Sequence, residues 1–161
     1  MSPASISEYL EADHRRLDAL LISAVDSLGA GSVAQAASAF GLFGEGIEAH
    51  INLEERLLLP HVEEATGPGG PAEVMREEHG RILRSVWSIG TQLRGGDAAR
   101  CLEELDALAR LLSAHNVKEE RVLYPAAERI LESLGQREEV LRCIDAETAI
   151  AGADELSLIH I

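Results

Sequence analysis

Apolar residues recur at intervals of three and four along most of this chain, the spacing of one helix face. The first stripe is Leu10, His14, Leu17, Leu21, Val25 and Leu28. Ser5-Ile6-Ser7-Glu8 ahead of it has the form of a capping box, and Gly29-Ala30-Gly31 ends it. A second helix is predicted over about residues 33 to 65, with Ala36, Phe40, Phe43, Ile47, His50, Glu54 and Leu57 or Leu58 inward. Gly41, Gly44 and Gly46 lower its propensity, which points to close approach of a neighbouring backbone. Pro60 kinks or interrupts its last turns. Thr66-Gly67-Pro68-Gly69-Gly70-Pro71 is the clearest break, and it reads as a plain bundle loop, without the Lys and Ser/Thr of a P-loop. A third helix follows to about residue 94, with Val74 or Met75, His79, Ile82, Val86 and Leu93 inward. Gly95-Gly96 stops it, and Asp97 can cap the next. That fourth helix turns Leu105, Leu108, Leu112, His115, Glu119 and Val122 inward, meets Pro125 and closes at Gly135. Residues 136 to 150 make a short fifth helix.

Polar residues stand on these apolar stripes, and they are duplicated. Residues 50 to 60 read HINLEERLLLP and residues 115 to 125 read HNVKEERVLYP, identical at six of eleven positions at an offset of 65. The same offset carries His14 onto His79, so four of the six histidines form two pairs, each 36 residues apart. Packing alone does not ask for repeated polar residues. Four amphipathic helices with short connections predict an all-α fold, an antiparallel up-down four-helix bundle with a short additional C-terminal helix. Residues 1–150 form this single bundle and residues 151–161 a tail, whose apolar LSLIHI could dock on the bundle or mediate association. In such a bundle the four histidines fall at one level, to within about one helical turn at ~1.5 Å rise per residue.

Composition narrows the partners. The net charge of −14, with a single Lys, argues against nucleic acid and anionic membrane. Sparse aromatics (Tyr9, Phe40, Phe43, Trp87, Tyr124) also disfavour base stacking. Cys101 and Cys143 match no zinc-ribbon or redox spacing and read as two small buried hydrophobes. No signal peptide and no stretch of membrane-spanning length is evident, so a cytoplasmic, reduced protein is the expectation.

The duplicated residues carry the chemistry. His50 and Glu54, like His115 and Glu119, are four apart and stand one above the other on a helix face. Two carboxylates and four imidazoles would then meet in an apolar interior, where charges must be paired or bound to a metal. Mutual His–Glu pairing is the alternative, and it leaves two histidines without obvious partners. Imidazole with carboxylate suits iron, zinc, copper or nickel. Six donors are too many for one tetrahedral zinc. They suit two metals, each taking two histidines, with both glutamates bridging and positions left open for a small ligand.

A lone His, then HxxxE, then a lone His, then HxxxE, with the EE…LP extension after each, resembles the hemerythrin-like family of HHE cation-binding domains over about residues 8 to 130. The resemblance implies two non-haem iron ions (Fe2+/Fe3+), oxo- or hydroxo-bridged. His14, His50, His79 and His115 would be terminal ligands, and Glu54 and Glu119 would bridge. Oxygen-carrying hemerythrins have a further histidine one turn from the position of His79. Here the neighbours at four residues are Met75 and Leu83. One iron is then left more open, which favours a centre that reacts with O2, peroxide or nitric oxide over a simple carrier. The functions implied are binding or sensing of a small diatomic ligand or peroxide, then a di-iron oxidoreductase with a redox partner, and last iron storage, delivery or repair. Monomer and homodimer both stay open. His61 lies too far along its helix for ligation and has an outer or surface role. Glu55 and Glu120 read as solvated or paired with Arg56 and Arg121. Tyr9 and Tyr124 are kept off the metal, and His160 has no role in the site.

Overall fold

The structure, a computed structural model, describes residues 5–159, and the side chains of residues 5–148. Among the described residues the chain is helical and contains no strand. Helix α1 spans Ile6–Gly29, α2 Val33–Leu57, α3 Leu59–Thr66, α4 Pro71–Arg94 and α5 Ala98–Lys118. A π-helical turn, Glu119–Leu123, joins α5 to α6, Tyr124–Ser133, and α7 runs Arg137–Ile159.

The boundaries follow from local chemistry. Ser5 Oγ accepts the Glu8 N–H at 3.1 Å and caps α1. Pro71 opens α4, where its missing N–H leaves no helix bond unmade. Asp97 precedes α5 without a capping hydrogen bond from its side chain, so the expected cap is not formed. Pro60 sits just after the break at Leu58, where α2 ends and α3 begins. Helix α7 continues through Gly152 to Ile159, past the end expected near residue 150. One glycine costs about 1 kcal/mol, and the surrounding Ala, Glu and Leu are strong helix formers. His160, at the end of the tail, lies outside the described residues.

Helix α1 packs on α2, α2 on α4, α4 on α5, and α5 back on α1, so these four helices close a ring. Their approach is tightest where side chains are smallest. A Cβ on Gly46 would stand 2.6 Å from Leu17 Cδ2, and one on Gly44 3.3 Å from Val86 Cγ1. Gly41 has nothing within 4 Å. The close neighbours of α2 are therefore side chains of α1 and α4, not a backbone as expected, and Gly41 has no such reason.

Two apolar clusters fill the ring. One holds Leu17, Phe43, Ile47, Ile82, Ile89 and Leu112 among others. The second holds Leu10, Leu53, Leu58, Met75, Leu123 and Leu131 among others. The chain passes from one cluster to the other close to each of the four histidines: Leu10 and Leu17 flank His14, Ile47 and Leu53 flank His50, Met75 and Ile82 flank His79, and Leu112 and Leu123 flank His115. The polar residues thus form a layer between two cores.

Several stripe residues differ from expectation. Ala24 is buried with Val25 at the edge, whereas of the two residues left open on α4, Val74 and Met75, Met75 is the buried one, in line with the expectation. Ile89, not Val86, is fully buried on α4. Val122 is 60% exposed, and Leu123 and Tyr124 are inside instead. The π turn holds one residue more than an α turn and so brings the fifth residue, Tyr124, over Glu119. Cys101 is buried as expected, but Cys143 is exposed on α7, and both are free thiols.

Candidate metal centre

His14 from α1, His50 and Glu54 from α2, His79 from α4, His115 from α5 and Glu119 from the π turn all enter the layer between the cores, none more than 4% exposed. The imidazoles pair across helices, with ring centroids 4.7 Å apart for His14 and His50 and 4.9 Å for His79 and His115. His50 Nε2 is 2.8 Å from Glu54 Oε1, and His79 Nε2 is 3.2 Å from Glu54 Oε2. His14 Nε2 and His115 Nε2 each lie 3.2 Å from Glu119 Oε1. Two donor sets result, His14, His50, Glu54 and Glu119 on one side and His79, His115, Glu54 and Glu119 on the other, with atoms within 4.8 Å of one another in each. Both glutamates belong to both sets.

A ring of carboxylates stands behind the imidazoles. Asp13 Oδ2 is 2.8 Å from His50 Nδ1, Glu78 Oε1 is 2.9 Å from His115 Nδ1, and Glu55 Oε1 is 3.0 Å from His79 Nδ1. Glu120 Oε1 is 3.7 Å from His14 Nδ1. Every Nδ1 therefore faces a carboxylate on another element, and a carboxylate there orients the ring and leaves Nε2 aimed inward. This corrects the reading of Glu55 as solvated beside Arg56, because Arg56 instead pairs with Glu147 of α7 at 2.6 Å. Asp13 and Glu78 went unread in the sequence. Their signal was present: the residue before each upstream His is acidic in both repeats, again 65 apart. Arg16 steadies Asp13 at 2.8 Å, and Lys118 steadies Glu78 at 2.5 Å. His61 is half-buried on α3 and belongs to neither donor set.

Tyr124 was expected outside the site, and the structure places its hydroxyl inside. It donates to Glu54 Oε1 at 2.5 Å and lies 3.0 Å from His14 Nε2, 3.3 Å from His50 Nε2 and 3.2 Å from Glu119 Oε1. In an α-helix a residue five after Glu119 would project about 140° away from it. Here the Tyr124 N–H bonds to the Glu119 carbonyl across the π turn, which stacks the fifth residue over the first. Pro125 favours this widening, since its ring clashes with the carbonyl four residues back in a regular helix. Tyr9, by contrast, donates to Asp145 of α7 and stays out of both sets.

Carboxylates and imidazoles sustain one another's charge. Burial pulls His79 down, but the nearby Glu119 and Glu54 carboxylates outweigh it and raise the imidazole to about 10. Burial likewise opposes His50, which Glu54 and Asp13 hold well above its ordinary value. His115 is raised against burial by Glu119 and Glu78. Burial pushes Glu119 up, and His115, His14 and His79 take it well below the usual carboxylate range. Burial, then Glu54 and Glu119, keep the Tyr124 phenol well above its ordinary value.

That network is incomplete. Among the described residues, His14 Nδ1, Glu54 Oε2, His79 Nε2 and Glu119 Oε2 are buried without a hydrogen-bond partner. His79 Nε2 and Glu54 Oε2 are near each other but not aligned to bond. Each such group costs about 1–3 kcal/mol if nothing satisfies it. Three of the four converge on the His79 side, where a cation would satisfy all three at once. The donor set therefore fits bound metal better than it fits a closed ion-pair network.

No curated protein and no solved structure matches the chain. Residues 5–127 match the family described as the hemerythrin HHE cation binding domain. That span holds all six donors and the carboxylates behind them, and the chain belongs to the hemerythrin HHE cation-binding family.

Proposed function

We propose that the buried cluster is a di-iron centre that binds or reacts with O2 or a related small ligand, such as peroxide or nitric oxide. His14 and His50 would hold one iron, His79 and His115 the other, and Glu54 and Glu119 would bridge them. The observation that carries this reading is the sharing of both glutamates between two buried His-containing sets. Bound iron would supply a redox couple and coordination positions open to a small ligand. The chain's own residues do the rest. Asp13, Glu55 and Glu78 turn the Nε2 lone pairs of His50, His79 and His115 toward the centre. The two apolar clusters exclude bulk water from above and below. A cavity of about 300 Å³ lies beside His50 and its partner Asp13, lined also by Gly46, Leu53, Glu147 and Thr148. Free Cys101 and Cys143 suit a reducing, cytoplasmic setting in which iron is kept ferrous.

Met75 and Leu83 stand where a further histidine would complete an oxygen carrier, and this favours a second reading, a di-iron oxidoreductase that consumes O2, peroxide or nitric oxide with a redox partner. Mixing the anaerobic di-ferrous protein with O2 separates the two. A stable spectrum reversed by removing O2 supports binding, and irreversible oxidation or turnover with a reductant supports the enzyme. Metal analysis tests both together. Protein from iron-replete medium with well under one iron per chain, and no rise in melting temperature on adding ferrous iron, would overturn the di-iron reading.

A further inference from the structure

The two donor sets share their carboxylates but differ in one group. The His14 side has a fifth donor atom within reach, Tyr124 Oη, and the His79 side has no counterpart, because the repeat places Leu59 where Tyr124 would be. Tyr124 is fully buried, and the polar atoms around its hydroxyl all belong to the donor set: two imidazole nitrogens and two carboxylate oxygens. Their spacing is informative. Donors bound about 2.1 Å from one cation and at right angles stand about 3 Å apart. Oη lies 3.0 Å from His14 Nε2, 3.3 Å from His50 Nε2 and 3.2 Å from Glu119 Oε1, close to that spacing, and donates to Glu54 Oε1 at a shorter 2.5 Å. A group that served only to hold Glu54 in place would need one contact, not four. The π turn adds a second, independent sign. It breaks the regular helix at a cost, and its effect is to bring this hydroxyl over Glu119.

We propose that Tyr124 Oη is itself a ligand to the cation held by His14 and His50, so that the two metal positions are chemically unequal. This rests on the di-iron reading. On binding, Oη forms one bond to the cation and its proton leaves to solvent. A ferric ion bound by phenolate absorbs visible light through charge transfer from the ring, which imidazole and carboxylate alone do not produce.

The test loads the full chain with ferrous iron without air, oxidises it, and records iron content, the visible spectrum and resonance Raman scattering. The chain has two tyrosines, and Tyr9 is engaged with Asp145 of α7. A charge-transfer band that enhances tyrosine ring modes, shifted by ring-deuterated tyrosine and kept in Tyr9→Phe, is the expected result. Tyr124→Phe should lose the band entirely. The isotope shift in the unmutated protein decides the matter even if that variant does not fold. Two irons bound with no phenolate modes would overturn the Tyr124 assignment and leave the di-iron reading standing. No iron bound would overturn both.

Discussion

The two repeats supply the same donors and then leave the site by different routes. After Glu54 the helix keeps its regular spacing, with the Leu58 N–H bonded to the Glu54 carbonyl at 2.9 Å, and then breaks at Leu58. After Glu119 it does not break but widens, with the Tyr124 N–H bonded to the Glu119 carbonyl one residue further on. Each route leads to a proline, Pro60 or Pro125, which cannot donate and crowds the carbonyl behind it. One repeat answers that strain with a stop, the other with a wider turn. Leu59 and Tyr124, at equivalent positions, both pack in the second apolar cluster, and only Tyr124 carries a hydroxyl that reaches the donor layer. Two segments identical at six of eleven positions thus give the cluster two unlike halves, through both the residue five after the shared carboxylate, Leu59 or Tyr124, and the way the backbone leaves.

The largest effect comes from removing what the halves share. Glu54→Ala and Glu119→Ala each take a donor from both sets, and each should leave fewer than two irons per chain by metal analysis. Stabilisation by ferrous iron should fall with it. At a thousandfold excess of metal over Kd that stabilisation is about 4 kcal/mol. Both irons retained in either variant would show that the glutamates do not bridge, and the two halves would then be separate sites.

A smaller effect separates the halves. Glu55 reaches His79 Nδ1 at 3.0 Å, but its counterpart Glu120 stands 3.7 Å from His14 Nδ1, beyond a hydrogen bond. Glu55→Ala should weaken metal binding roughly 10- to 100-fold, the usual loss when the partner of a ligating histidine is removed. Glu120→Ala should do distinctly less. Competition with a chelator of known affinity measures both, and equal losses would erase this asymmetry.

The repeat made the six donors legible because it doubled them in register: a single HxxxE is common, and two copies with equal upstream spacing are not. Helical periodicity made the buried faces legible along much of the regular helices, from Leu10 to Leu21 and from Leu105 to His115, though it took Val25 for Ala24 and Val86 for Ile89. It went wrong at the π turn. A period of 3.6 carries Val122 inward and leaves Tyr124 outside, and no propensity scale registers one extra residue in a turn. Asp13 and Glu78, and Glu55 and Glu120, recur at the same offset of 65, the first pair as Asp and Glu. Their partners lie on other helices, so their direction depended on how the ring closes, which local pattern does not carry. Glycine behaved similarly. Gly46 admits Leu17 and Gly41 admits nothing, though both lower the same helix's propensity equally.

The smallest expected effect tests the exits directly. Leu57 and Val122 are equivalent in the repeat, and a regular helix through both would bury them alike. Instead Leu57 packs against the apolar cluster while Val122 is 60% exposed. Leu57→Ser should then cost about 1–2 kcal/mol, since it removes partly buried apolar surface and brings a hydroxyl toward the core. Val122→Ser should change stability by less than about 0.5 kcal/mol, as surface substitutions do. Urea unfolding of the metal-free protein measures the pair without interference from metal binding. A loss at Val122 as large as that at Leu57 would mean that Val122 faces the core, that the turn after Glu119 is an ordinary one, and that Tyr124 has no route into the donor layer.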